Sequence, residues 1–174
     1  MMRDAMMFVD QENLRNGANE YDPDYKYDFE KLRDVLLDDY HAVRSYWFAS
    51  WHPDYDKPEG FYKKLEMSEY RLYESPRVPR ESACNECGTT NEQYIEKGID
   101  IQLATELIAQ AYEGGYGTAV LVSGDADYCQ AIEYVQDLGK RVVAAGWNNS
   151  SSPKLQRQSD EFIELDDIAD AIEL

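Results

Sequence analysis

The residues of this chain best suited to chemistry are aspartates that stand where a buried strand gives way to a turn. The stretch AVLVSGDADY, from Ala119 to Tyr128, is an apolar run that breaks at Ser-Gly and then presents Asp125 and Asp127. Small and β-branched residues bounded by glycine read as a buried strand, and the apolar spacing of Tyr128, Ala131, Ile132, Val135 and Leu138 reads as the helix that follows. The stretch AMMFV, Ala5 to Val9, repeats the arrangement and runs directly into Asp10. Asp100 falls in the first turn of a predicted helix whose apolar side carries Leu103, Ala104, Leu107, Ile108 and Ala111. Each of these acids also has a structural explanation, because aspartate caps helices and complements the positive end of the helix dipole. A single cap accounts for one of Asp125 and Asp127, but not for both, nor for the Ser-Gly that precedes them.

Three or four carboxylates gathered at one edge of a sheet repel one another unless a cation neutralises them. Hard oxygen ligands of this kind suit Mg²⁺ or Mn²⁺. Two such ions can activate water and stabilise the leaving oxygen during phosphodiester hydrolysis. Other chemistries lack their residues: there is no G-x-x-x-x-G-K-[ST] loop and no G-x-G-x-x-G turn. Asp10-Gln11-Glu12 also misses the D-x-D of haloacid-dehalogenase-type phosphatases. Cys84 and Cys87 form a C-x-x-C followed by glycine, which is half of a zinc site. Zinc there would need further ligands, from His41 and His52 only by chance of folding and otherwise from a second chain or a partner, so a homodimer is one way to complete it. Cys129, beside Tyr128, reads as a small buried apolar residue. Few cations are placed to meet phosphate: Lys97 next to Asp100, Lys140 and Arg141, and Lys154 and Arg157. Trp47, Trp51 and Trp147 could stack on unpaired bases or fill the core.

The elements that must position these acids alternate. Strands are predicted at Ala5 to Val9, Val43 to Ala49, Tyr70 to Tyr73, Ala119 to Ser123, Arg141 to Ala145 and, at an edge, Phe162 to Leu165. Helices are predicted after Asp28, from Phe61 to Met67, from Asp100, after Asp127, around Leu155 and from Ile168 to Ile172. Repeated βα units favour a mainly parallel sheet with right-handed crossovers and helices on both faces. In such a sheet the strand-to-helix turns lie at the carboxyl edge, where ligands bind. Asn16 to Lys26 reads as a polar loop, and residues 75–92, with two prolines and the cysteine pair, read as a loop insertion projecting from the domain.

The length of 174 residues suits one α/β domain, 1–174. No run approaches membrane-spanning length, so no membrane partner is expected. Three cysteines, an odd number, argue against a secreted disulfide framework and for a reducing, cytoplasmic location. The formal charge of -18, from 35 acidic against 17 basic residues, is spread along the chain rather than gathered in a tail. That pattern fits a protein of a salt-accumulating organism, whose self-repulsion strong salt would screen. The melting temperature is therefore expected to rise steeply as KCl increases from millimolar to molar, and a flat profile in thermal denaturation would remove the halophilic reading.

Taken in order, FVDQENL, EKGIDIQLATELI, AVLVSGDADY, GKRVVAAG and SSPKLQRQSDEFIELDDI resemble an NYN domain of the LabA-like group, within the PIN-like nuclease superfamily. The resemblance covers nearly the whole chain. It implies a three-layer Rossmann-like α/β fold, a divalent-metal site and RNA, single-stranded or structured, as substrate. By the family pattern Asp10, Asp100, Asp125 and Asp127 would hold metal, with Asn13 and Ser123 orienting a ligand or a metal-bound water. Glu106 stands where relatives often carry aspartate, on a longer arm and turned away from Asp100 around the helix. The activity implied is metal-dependent ribonuclease. The alternative is a regulatory module that binds RNA or protein on the same fold without turnover.

Overall fold

Alternation along the first strand decides the architecture. In β1 (Arg3–Asp10), Ala5, Met7 and Val9 are buried on one face while Met6 and Phe8 are buried on the other. A strand buried on both faces needs helices on both, which is the arrangement of a parallel sheet in an α/β fold. The computed structural model describes residues 3–83 and 90–174 and meets that need. Cys84 and Cys87, the half zinc site, lie outside the described residues.

On one face pack α1 (Gln11–Tyr21), α2 (Phe29–Leu36) and α3 (Glu59–Met67), through Leu14, Leu32, Leu36 and Leu65. On the other pack α4 (Ile99–Tyr112), α5 (Cys129–Asp137) and α6 (Pro153–Gln158), through Leu103, Leu107, Ile132, Val135 and Leu155. Between them run β1, β2 (Tyr40–Trp51), β3 (Tyr70–Pro76), β6 (Thr118–Val122), β7 (Arg141–Gly146) and β8 (Glu161–Glu164). Their order is β3-β2-β1-β6-β7-β8, and every neighbouring pair is parallel. The chain thus starts in the middle of the sheet, winds out to β3, returns through α4 and winds out to β8. Because the direction of winding reverses between β1 and β6, the connections leave their carboxyl ends toward opposite faces, and a crevice opens there. Among the described residues, no helix is long and apolar enough to cross a membrane.

Two stretches differ from their sequence reading. Asn16 to Tyr21 is not loop but the second half of α1, with Gly17 and Ala18 buried. Gly17 is a packing residue: a Cβ there would come within 2.5 Å of Trp147 Cδ1 and of Ser150 Oγ, so only glycine lets the helix approach. The insertion at 75–92 is not simply a loop either. β3 continues to Pro76, and β4 (Val78–Ala83) then pairs antiparallel with β5 (Thr90–Ile95), from Val78 opposite Ile95 to Ala83 opposite Thr90. A two-stranded ribbon consists of edges alone, which is where a strand tolerates a proline such as Pro79. The tryptophans belong mainly to the interior. Trp47 and Trp147 are fully buried, donating to Gln11 Oε1 at 2.7 Å and to the Leu14 carbonyl at 3.0 Å, and half-buried Trp51 donates to Glu74. Cys129 is a free, buried thiol, as its setting predicts.

A candidate metal centre at the carboxyl edge of the sheet

Asp10 ends β1 and caps α1, so the residue that terminates the central strand also starts the first helix. It is buried, 8% exposed, and both of its oxygens are occupied. Oδ1 accepts from the Asn13 backbone N–H at 3.1 Å; Oδ2 accepts from the Ser123 hydroxyl at 3.1 Å and from the Tyr128 hydroxyl at 3.2 Å. Burial pushes the Asp10 carboxyl above the ordinary aspartate range, and the charge of Asp125 adds to this, although the three hydrogen bonds oppose it. The Tyr128 phenol is displaced upward in turn, by burial and by the Asp10 charge.

Ser123 links the two turns. Its hydroxyl donates to Asp10 while accepting from the Asp125 N–H at 3.2 Å, so Asp10 and Asp125 are joined through one side chain. Asn13 makes a second link by accepting the Gly124 N–H at 2.8 Å. Asp125 caps the short 3-10 turn Ala126–Tyr128 with Oδ1, at 2.9 Å from the Asp127 N–H. Capping and site formation are therefore compatible, because its Oδ2 makes no hydrogen bond among the described residues.

Asp10, Asn13, Asp100 and Asp125 line one recess of about 280 Å³ with Glu12, Asn16, Glu96 and Tyr128. The structure thus brings together three of the four predicted aspartates, with Ser123 immediately behind them. Asp127 is exposed and outside the recess lining, as is Lys97. Glu106 lies farther along α4, where it accepts from Tyr73 at 3.2 Å and Gln110 at 2.9 Å.

Glu12, Glu96 and Tyr128 were not expected. Glu96 follows directly on β5, and Arg77, just before β4, pairs with Glu12 at 2.8 Å and donates to Ser50 at 3.2 Å. The root of the hairpin therefore reaches the recess twice. A signal for Glu96 was present in the motif EKGID, four residues ahead of Asp100; nothing in the sequence ties Arg77 to Glu12.

The donor set suits a hard cation, being all oxygen. Glu96 has a buried Oε2 with no hydrogen-bond partner among the described residues, and its carboxyl is pushed up to about 7, first by burial and then by Glu12 and Asp10, against a hydrogen bond from Ser50. These are strains that a bound divalent ion would relieve. As placed, no three histidine, cysteine or acidic side chains among the described residues converge closely enough to ligate one ion together.

The raised Glu96 group makes a prediction for the metal-free protein. In the folded chain it holds its proton to about pH 7, whereas its ordinary value is 4.5, so folding takes up protons between those values. That contribution to stability is fully present below about 4.5 and is lost as pH rises through about 7. In EDTA, the wild-type melting temperature is expected to fall across this window more than that of Glu96→Gln; identical slopes would show that Glu96 is not held in this state.

The NYN domain model matches residues 4–166. The uncharacterized protein y4oD of Sinorhizobium fredii is 34% identical over 82 residues, covering 45% of this chain and 38% of that protein. The chain therefore matches well under half of that relative's length. The crystal structure of VPA0982, a protein of unknown function from Vibrio parahaemolyticus, superposes with a TM-score of 0.77 at 20% identity, over 99% of this chain and 97% of that one. At that identity the likeness speaks for a shared fold. The family match runs from the first strand to the turn beyond the last, through both aspartate turns and the helix that carries Asp100, and on that extent the chain belongs to the NYN domain family.

Proposed function

We propose that this chain is a divalent-metal-dependent ribonuclease that hydrolyses RNA phosphodiester bonds at the carboxyl edge of its sheet. One observation carries the reading: Asp10, Asp100 and Asp125, from three separate elements, line one recess in which Asp10 is buried at the switch point of the sheet. In this reading Asp10, Asp100 and Asp125 hold Mg²⁺ or Mn²⁺, and Asp127, outside the recess lining, is an outer contributor. A bound ion of this kind supplies an activated water and neutralises the charge that develops at the leaving oxygen. Ser123, Tyr128 and the Asn13 backbone fix the orientation of Asp10, and the Asn13 side chain holds the two strand ends in register. Arg77 holds Glu12 in the recess lining, beside Glu96 and Asp100.

The looseness of the acids as placed favours a second reading, an RNA-binding module without turnover. Incubation of labelled single-stranded and structured RNA with Mg²⁺ or Mn²⁺ at high salt, wild type beside Asp125→Asn, separates the two. Metal-dependent cleavage lost in the variant supports the nuclease. RNA binding without cleavage by either protein supports the module.

A further inference from the structure

A roomier concavity lies beside the acidic recess, and its lining carries two cations where the recess carries acids. It encloses about 550 Å³ between α1, the segment that follows it and α3. Arg15, Asn16 and Asn19 line it from α1, and Tyr25, Lys26 and Tyr27 from the segment after. In a chain of formal charge -18, two exposed cations here form no ion pair among the described residues, and no aspartate or glutamate lines the cleft, although Leu174 also lines it and the charges of Glu173 and Asp170 reach Tyr25. Tyr25 is anchored by its hydroxyl, which donates to the Ala169 carbonyl at 2.7 Å, so its ring is held in place rather than free to collapse into the space. Asn16 lines both this cleft and the acidic recess, so the two adjoin at one side of α1.

We infer that this cleft is a nucleotide subsite for single-stranded RNA flanking the bond held at the acidic recess. A backbone phosphate lies against Arg15 and Lys26, a base lies against the tyrosine faces, and the Asn16 and Asn19 amides meet base or ribose edges. The volume suits one nucleotide, since ligand clefts commonly run about 300–1,000 Å³. Unpaired cations beside the anchored Tyr25 ring suit a strand that carries both phosphate and base, and a duplex would hide its bases. The inference rests on the RNA reading above, yet it can fail separately from it.

The test uses fluorescence anisotropy of a labelled 12-nucleotide single-stranded RNA in Mg²⁺. All proteins carry Asp125→Asn, so that the probe stays intact. Arg15→Ala with Lys26→Ala is expected to weaken binding at least about tenfold and to reduce the slope of log K against log salt by about 0.7, the contribution of the one phosphate held between them. Asn19→Asp, which adds a charge of the wrong sign at the same place, is expected to weaken it too. Arg3→Ala with Arg71→Ala, which removes the same charge at the amino edge of the sheet, should leave both quantities unchanged. Thermal melts of each variant confirm folding. If the probe binds and the cleft variants match their parent in affinity and slope, the subsite is overturned while the RNA reading stands. If the parent binds no RNA at all, both fall.

Discussion

Asp125→Asn is expected to reduce metal-dependent RNA cleavage by at least about a thousandfold, equivalent to about 4 kcal/mol of transition-state stabilisation. The fold should survive, because asparagine also caps a turn and the change removes one of several mutually repelling charges. The metal-free variant should melt at the wild-type temperature or slightly above it. Asn13→Ala should behave differently, since it removes no charge but leaves the Gly124 N–H without its acceptor and loosens the link between the strand ends. A loss on the order of ten- to a hundredfold is expected, partly recovered by raising Mn²⁺. Asp127→Asn should fall nearer to wild type than Asp125→Asn, because Asp127 is outside the recess lining. Initial rates at two Mn²⁺ concentrations check the series. Wild-type cleavage by Asp125→Asn would place the catalytic centre elsewhere.

Gly124→Ala is the second change with a large expected effect, and it acts through packing. A Cβ at Gly124 would sit 2.5 Å from both Cα and Oγ of Ser151 and 2.9 Å from the Ser150 carbonyl, so backbone rather than a flexible side-chain end must shift. The same residue donates to Asn13 and accepts from the Ser152 N–H at 2.8 Å, so any shift disturbs both walls of the site. Overpacking of this kind costs about 1–3 kcal/mol, and in a chain of this size each kcal/mol lowers the melting temperature by roughly 2–4 °C. Activity should fall with it, through displaced metal-holding groups rather than a missing one, so extra Mn²⁺ should recover part of the rate. Gly60→Ala is the matched control, since no heavy atom lies within 4 Å of its built Cβ. In α3 that substitution should be neutral or mildly stabilising. A Gly124→Ala protein that melts and cleaves like wild type would show that the loop at Ser150 and Ser151 yields without cost.

The parts of this structure legible in the sequence were those governed by short-range pattern. The apolar runs at Ala5, Ala119 and Arg141 marked buried strands, and the acids directly after the first two marked the carboxyl edge, because in a parallel sheet strand end and ligand edge coincide. What stayed hidden depended on contacts distant in the chain. Gly17 looked like a loop signal because its reason for being glycine, Trp147, lies 130 residues away. The hairpin escaped because prolines and polar residues weaken strand patterning where a ribbon buries little. For the same reason the pairing of Arg77 with Glu12 could not be anticipated, nor could the proton-retaining state of Glu96. Asp127 entered the expected site through the family pattern; the tight 3-10 turn presents its backbone N–H to Asp125 and sets its side chain outside the recess that the equally exposed Asp100 and Asp125 line.

The hairpin separates two tasks along its length. Arg77 and Glu96 are attached at its root, adjoining the first paired residues, Val78 and Ile95, while the ribbon runs outward by backbone pairing to Ala83 opposite Thr90. Strand faces alternate with a period of two, so an antiparallel stem can gain or lose residues in matched pairs beyond that root without turning either root residue to the opposite face. The outer part is thus open to change in length and composition at little cost to the recess, whereas a single unmatched residue in the stem would rotate its pattern. A protein built this way can alter what it meets at a distance from the acids while its chemistry stays fixed, and the outer ribbon is the natural place to graft a new binding segment onto this chain.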